Sequence, residues 1–299
     1  MYPYTSTLTT LLFISLFLHN VTAANIRAIF LFKDVLKSNT TALQTSNFNT
    51  FIIFGVGVTS NGSIMYYSNT PGSSDILVAS GGSYIGGPAL AEKVRSFKTF
   101  ANGTATGIDR LEISMNAQNI RALLSKDGTG VATPLARNFA ALKEAWGLDA
   151  VNNDDESLYD VASTVSFAKV LAQLGYKYTI APYTNQRFWV SVINEVNAGS
   201  KTEADKILDQ AYLQCYDGGA NNDPAAWAKG LGMKVVPLVW VTNDSKPVYG
   251  QTAAQARKKF EGWVKNGGLA GGGYWNEYDV EKMKLSYRDY GEVLRSVFP

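Results

Sequence analysis

Eight short β-rich runs alternate with longer amphipathic stretches along the chain, and this alternation restricts the fold more than any other feature. The runs are Ile26–Phe32, Phe51–Val58, Arg110–Met115, Gly147–Asn152, Tyr178–Ala181, Ala211–Tyr216, Lys234–Val239 and Gly272–Trp275. Helical patterns fall between most of them, at Ala89–Phe100, Leu135–Trp146, Leu158–Leu174, Phe188–Val196 and Ala253–Lys265, and Val280–Phe298 follows the last. Ser157 ahead of one helix, Asp223-Pro224 at the start of another and Gly175 after a third supply cap and stop signals. Strand–helix alternation repeated eight times predicts an α/β chain closed into a (β/α)8 TIM barrel, with an open doubly wound sheet as the alternative. The second strand is extended by a hairpin, Ile64–Ser68 and Ile76–Ser80 around Pro71-Gly72. No linker, low-complexity tract or charge block divides the chain, so a single domain is expected over residues 25–299.

Residues 1–24 read differently. Leu8–Leu18 is an uninterrupted apolar run followed by Val21-Thr22-Ala23, the small-x-small ending of a secretory signal peptide. The run is short for a membrane span, which needs about 20 residues, so a cleaved signal is expected and no membrane association after cleavage, with an uncleaved N-terminal anchor as the alternative. A secreted, extracellular protein is expected, with sequons at Asn39, Asn61, Asn102 and Asn243. The formal net charge of +2 offers no basic footprint for nucleic acid.

The single histidine, His19, lies inside this leader. The remaining chain cannot run Ser-His-Asp or Cys-His catalysis, and cannot build a histidine-ligated zinc site. Cys215 is the only cysteine, so no intramolecular disulfide forms. What remains for chemistry is carboxylates and aromatic rings, and the densest acidic cluster is Asp154-Asp155-Glu156 at the end of the fourth run. If the strand runs from Leu148 to Glu156, side chains alternate, and Asn152, Asp154 and Glu156 share one face. At the C-terminal end of a barrel strand that face looks into the site. Two carboxyls so placed raise the pKa of one, yielding a proton donor, and Glu156, nearer the mouth, is the better acid. The plainer reading makes the same residues a polar cap on the next helix, with Asp155 or Ser157 at the N-cap.

The segment resembles the signature of family 18 glycoside hydrolases, the chitinases and endo-β-N-acetylglucosaminidases. Their Asp-Gly-x-Asp-x-Asp-x-Glu motif corresponds to Asp149-Ala150-Val151-Asn152-Asn153-Asp154-Asp155-Glu156. The resemblance implies that Glu156 is the general acid and that Asp154 orients the substrate acetamido group. Ala150 stands where the family has Gly, and Asn152 where it has a second Asp. Asn152 cannot share a proton with Asp154.

Gln214-Cys215-Tyr216-Asp217 resembles the family's sixth-strand Gln-x-Tyr-Asn segment. The resemblance makes Tyr216 the hydrogen-bond donor to the acetamido oxygen and adds Gln214, Asp217 and Asn152 as substrate contacts. Cys215 faces away, as a small buried hydrophobe. Gly271–Asn276 resembles the family's closing strand, which makes Trp275 the floor under the reacting sugar. Tyr183 and Asn185 after the fifth strand, and Trp240 closing the seventh, are further lining candidates. Ser114-Met115-Asn116-Ala117 lacks the family's Ser-x-Gly-Gly, leaving the lower rim of the cleft undefined. Gly81–Gly87 lacks the lysine and framing of a phosphate cradle and reads as a flexible rim loop.

The resemblance implies a monomeric, metal-free and cofactor-free hydrolase of β-1,4 linkages at N-acetylglucosamine, in chitin or a glycoprotein glycan, by substrate-assisted retaining catalysis. The endo-β-N-acetylglucosaminidase version fits Gly147–Glu156 slightly better than the chitinase version. The rivals are a non-catalytic, lectin-like barrel that binds glycan, which Asn152 favours, and a hydrolase of another amino sugar polymer.

Overall fold

The computed structural model describes residues 25–299; the expected leader lies outside the described residues. Eight parallel strands close into a barrel. In chain order they are β1 (Ile26–Leu31), β2 (Thr50–Val58), β6 (Arg110–Met115), β7 (Ala150–Asn153), β8 (Lys177–Ile180), β9 (Leu208–Gln214), β10 (Val236–Val241) and β12 (Gly271–Trp275). Each pairs in parallel with its neighbours, and β1 closes the ring by pairing with both β2 and β12. This is the (β/α)8 barrel and not the open sheet. Parallel strands are covered on both faces, so runs such as Val236–Val241 are apolar and buried throughout. The hairpin after β2 is β3 (Ile64–Tyr66) and β4 (Ile76–Ser80), joined antiparallel, with β5 (Ser83–Tyr84) added at its edge. The two-residue β11 (Gly250–Gln251) pairs with the end of β10.

The strand starting near Gly147 is shorter than expected. Gly147 adopts the left-handed conformation that ends helix Pro134–Trp146, so the chain becomes extended only at Ala150. At the other end the strand stops at Asn153, well short of Glu156. The helix that follows begins at Val161 and is capped by Asp160, whose carboxylate accepts from the Ser163 amide at 2.8 Å. Neither Asp155 nor Ser157 is its N-cap. The single helix expected over Val280–Phe298 is two, Glu277–Lys282 and Tyr287–Val297. Lys284 takes a positive φ between them and Ser286 caps the second. Helices Thr40–Gln44 and Ile120–Asp127 escaped the periodicity, the first because five residues span barely one turn.

The barrel interior is polar along one column. Glu112 is fully buried and accepts hydrogen bonds from Arg110 Nε at 2.6 Å, Thr179 Oγ1 at 2.6 Å and the Tyr212 hydroxyl at 2.7 Å. Arg110 also grips Asp209 through two bonds of 2.7 and 2.8 Å. Higher in the barrel, Asn152 donates to Thr179 Oγ1 at 2.9 Å and accepts from Ser114 Oγ at 3.0 Å. The column ends beneath the mouth.

Candidate active site

The C-terminal ends of the strands open on a cleft of about 580 Å3. Asp154 and Glu156 enter it from β7, Gln214, Tyr216 and Asp217 from β9, Trp240 from β10 and Trp275 from β12. The expected alternation holds past the end of the strand, because the Asp154 amide still bonds the Met115 carbonyl at 2.9 Å. Asn152 lies below the cleft inside the barrel, and Asp154 and Glu156 line it. Asn153 and Asp155 turn the other way, Asn153 facing Thr164 and Phe167 of the covering helix. Asp155 is buried, and its carboxylate accepts from the amides of Ser157, Leu158 and Tyr159 at 3.0, 2.8 and 2.8 Å. That turn delivers Glu156, which is exposed, to the rim.

Gln214 joins the two carboxyls. Its Nε2 lies 3.1 Å from Asp154 Oδ1, 3.5 Å from Glu156 Oε1 and 3.0 Å from the Ala181 carbonyl. The enclosure of Asp154 is the main cause that lifts its pKa to about 8, and the charges of Glu156 and Asp155 add to it. Asp154 therefore keeps its proton at neutral pH. Asn152 makes no hydrogen bond to Asp154 among the described residues, its amide being committed to Ser114 and Thr179.

Tyr216 is buried, with its ring stacked on Trp275 at 6.5 Å and 20° and packed edge-on to Trp240 at 5.6 Å. Burial, followed by the charge of Asp154, holds its hydroxyl well above the usual range, so it remains a donor. Trp275 is half-buried among Phe30, Phe54 and Tyr216. Trp240 directs its indole N–H away from the cleft to Asp279, at 2.7 Å. Asp217 pairs with Lys246 at the rim. Cys215 points out of the barrel, and burial pushes its thiol up to about 12. Asp149, first in the acidic motif, is not in the cleft; it binds Lys98 and accepts from the Leu111 amide at 2.7 Å, pinning β6 to β7 at the barrel base.

Tyr183 lines the cleft, but Asn185 does not. It is exposed, with a positive φ, at the start of helix Gln186–Val196. Gly81–Gly87 is not a rim loop: it carries β5, and the Gly82 amide bonds Asn138 of helix Pro134–Trp146 at 2.7 Å. The lower rim is supplied instead by Met115 at the end of β6, by Asn116 and Gln118 after it, and by Tyr67 and Asn69 of the hairpin connection. The position of Asn116 directly after β6 was the one signal for these residues; nothing local marks Tyr67 or Asn69.

The closed (β/α)8 barrel thus sets paired carboxyls above an aromatic floor at its C-terminal mouth. No protein-family model and no curated protein matches the sequence. Solved structures do. A GH18 chitinase from Pseudoalteromonas aurantia superposes with a TM-score of 0.63 at 14% identity, covering 91% of this chain and 99% of that one. The catalytic domain of a GH18 chitinase from the fern Peteris ryukyuensis gives 0.58 at 13%, covering 91% and 98%. The Bacillus cereus spore cortex-lytic enzyme SleL gives 0.54 at 10%, covering 92% and 74%. The chain has the fold of the family 18 chitinases.

Proposed function

We propose that this protein is a secreted glycoside hydrolase that cleaves β-1,4 linkages at N-acetylglucosamine by substrate-assisted retaining catalysis. The observation that carries this reading is the convergence of Asp154 and Glu156 on one amide, Gln214 Nε2, in a cleft floored by Tyr216 and Trp275. In the proposed reaction the acetamido oxygen of the substrate attacks the anomeric carbon as the glycosidic C–O bond breaks, and Glu156 gives its proton to the leaving oxygen. Asp154 and Tyr216 hold the acetamido group, and Trp275 supports the sugar ring. Glu156 then takes a proton from water as the water oxygen bonds the anomeric carbon and displaces the acetamido oxygen.

Chitin and a glycoprotein glycan are both candidate substrates, in a chitinase-like or an endo-β-N-acetylglucosaminidase-like reaction. Glu156→Gln should lower turnover of chito-oligomers or of high-mannose glycoprotein at least 100-fold, about the general-acid contribution. Equal turnover by variant and wild type on whichever substrate is cleaved removes the assignment. A second reading, a barrel that binds glycan without cleaving it, is favoured by Asn152, whose amide is spent on Ser114 and Thr179. Saturable binding without product release in the same assay selects it. Of the sequons, Asn39, Asn61 and Asn102 are exposed and available for glycosylation, whereas Asn243 is buried and bonded to the Val241 carbonyl and Lys246 amide.

A further inference from the structure

Aromatic packing does not stop at the cleft. Phe30 and Phe32 sit two residues apart at the end of β1, the first inside the cleft and the second just beyond it. The Phe32 ring lies 5.3 Å from Trp275, edge-on, and 5.4 Å from Phe54, stacked. On its far side it meets Tyr278 at 6.1 Å. Trp275, Phe32 and Tyr278 thus form a continuous row running out from the floor. All three are half-exposed. Trp275 ends β12 and Phe32 directly follows β1, across the barrel from β7, so the row leaves the floor on the side away from Glu156.

Internal packing explains Phe32 only in part and Tyr278 hardly at all. Besides Phe32, the Tyr278 ring meets Lys282 Nζ, at 5.9 Å. That lysine is itself held by Asp244 at 2.8 Å. The Tyr278 hydroxyl makes no hydrogen bond among the described residues. Half-exposed aromatic rings in line with a sugar-sized cleft have the chemistry of a carbohydrate platform: an apolar face for the C–H side of a pyranose, and here a phenol for its hydroxyls.

We propose that Phe32 and Tyr278 form an additional subsite that binds further rings of a β-1,4-linked glucosaminyl chain, beyond the sugar on Trp275. This rests on the glycan-cleft reading above. The subsite makes the protein a reader of chain length: a hexamer reaches Tyr278, whereas a trimer seated on Trp275 and Glu156 does not.

The test is calorimetric binding of chitotriose and chitohexaose to the Glu156→Gln protein, alone and combined with Tyr278→Ala, Tyr278→Phe or Phe32→Leu. Leucine keeps apolar packing against Trp275 while removing the aromatic face. The hexamer-to-trimer affinity ratio should fall about three- to tenfold with Tyr278→Ala and with Phe32→Leu, the size of one aromatic contact, and survive in Tyr278→Phe. A ratio unchanged by Tyr278→Ala, or a parent protein that binds both lengths equally, overturns the subsite and leaves the cleft reading intact. A parent protein, and wild type, that bind neither oligomer overturn the glucosaminyl-cleft reading and the subsite with it.

Discussion

Asn152 is wired as an amide. The single Thr179 hydroxyl proton goes to Glu112, at 2.6 Å, so the Thr179 lone pair facing Asn152 needs a donor. The amide NH2 supplies one at 2.9 Å, which turns its carbonyl toward Ser114. A carboxylate at this position would face a lone pair with no proton between. Asn152→Asp should therefore cost on the order of 1–3 kcal/mol at pH 7, a loss that shrinks toward pH 4 as the new acid protonates and donates to Thr179. Urea melts at the two pH values check this, and an equal loss at both refutes it. Asp154 is a complementary case. Its folded pKa of about 8 lies above an unfolded value of about 3.9, so the folded state holds the extra proton between them and stability falls as pH rises through that window. Asp154→Asn should raise Tm more at pH 8 than at pH 5, as scanning calorimetry would record; a gain independent of pH would show that enclosure is not the cause. The shared face of Asn152, Asp154 and Glu156 was legible, because strand periodicity is a property of the local backbone. The Glu112 column was not. Arg110, Glu112 and Asp209 look like surface charges until β6 and β9 bring them together inside one barrel.

At the scale of the element, the turn after β7 decides where Glu156 goes. Asp155 satisfies three consecutive backbone amides from a buried position, and with them it sets the path between the strand and helix Val161–Gln173. Asp155→Ala leaves those amides without their carboxylate and should cost about 1–3 kcal/mol while displacing Glu156. Chemical denaturation together with activity would show both losses, and retention of either by Asp155→Ala would dissociate the turn from the site. Strand positions were readable to within about three residues from runs of β-branched and aromatic residues. Their ends were not, since the helix-ending Gly147 and the Asp155 turn both interrupt a run whose composition continues. The hairpin was readable from Pro71-Gly72, but its delivery of Tyr67 and Asn69 to the cleft depends on how β3 folds back across the mouth.

For the whole molecule, closure is the decisive event. The first and last barrel strands meet where Gly271 lies against Ile26, and a Cβ on Gly271 would come 2.0 Å from the Ile26 carbonyl oxygen. Gly271→Ala should destabilise the protein by about 3 kcal/mol or more through this overpacking, with Tm as the readout; a wild-type Tm would mean that the seam has slack. Closure also places Trp275 of β12 beside Phe30 of β1 and Phe32 just past its end, although some 240 residues separate them.

The sequence alone determined the number and order of the barrel strands, the face that Asp154 and Glu156 share, and the absence of histidine from residues 25–299. These follow from backbone periodicity and residue inventory, which act over a few residues. Only the tertiary structure decided that Asp154 rather than Glu156 is the enclosed carboxyl, that Gln214 joins them, that Asn185 stands outside the cleft, and that aromatic rings continue past it to Tyr278. Those depend on distances between strands remote in the chain, and such distances exist only once the barrel has closed.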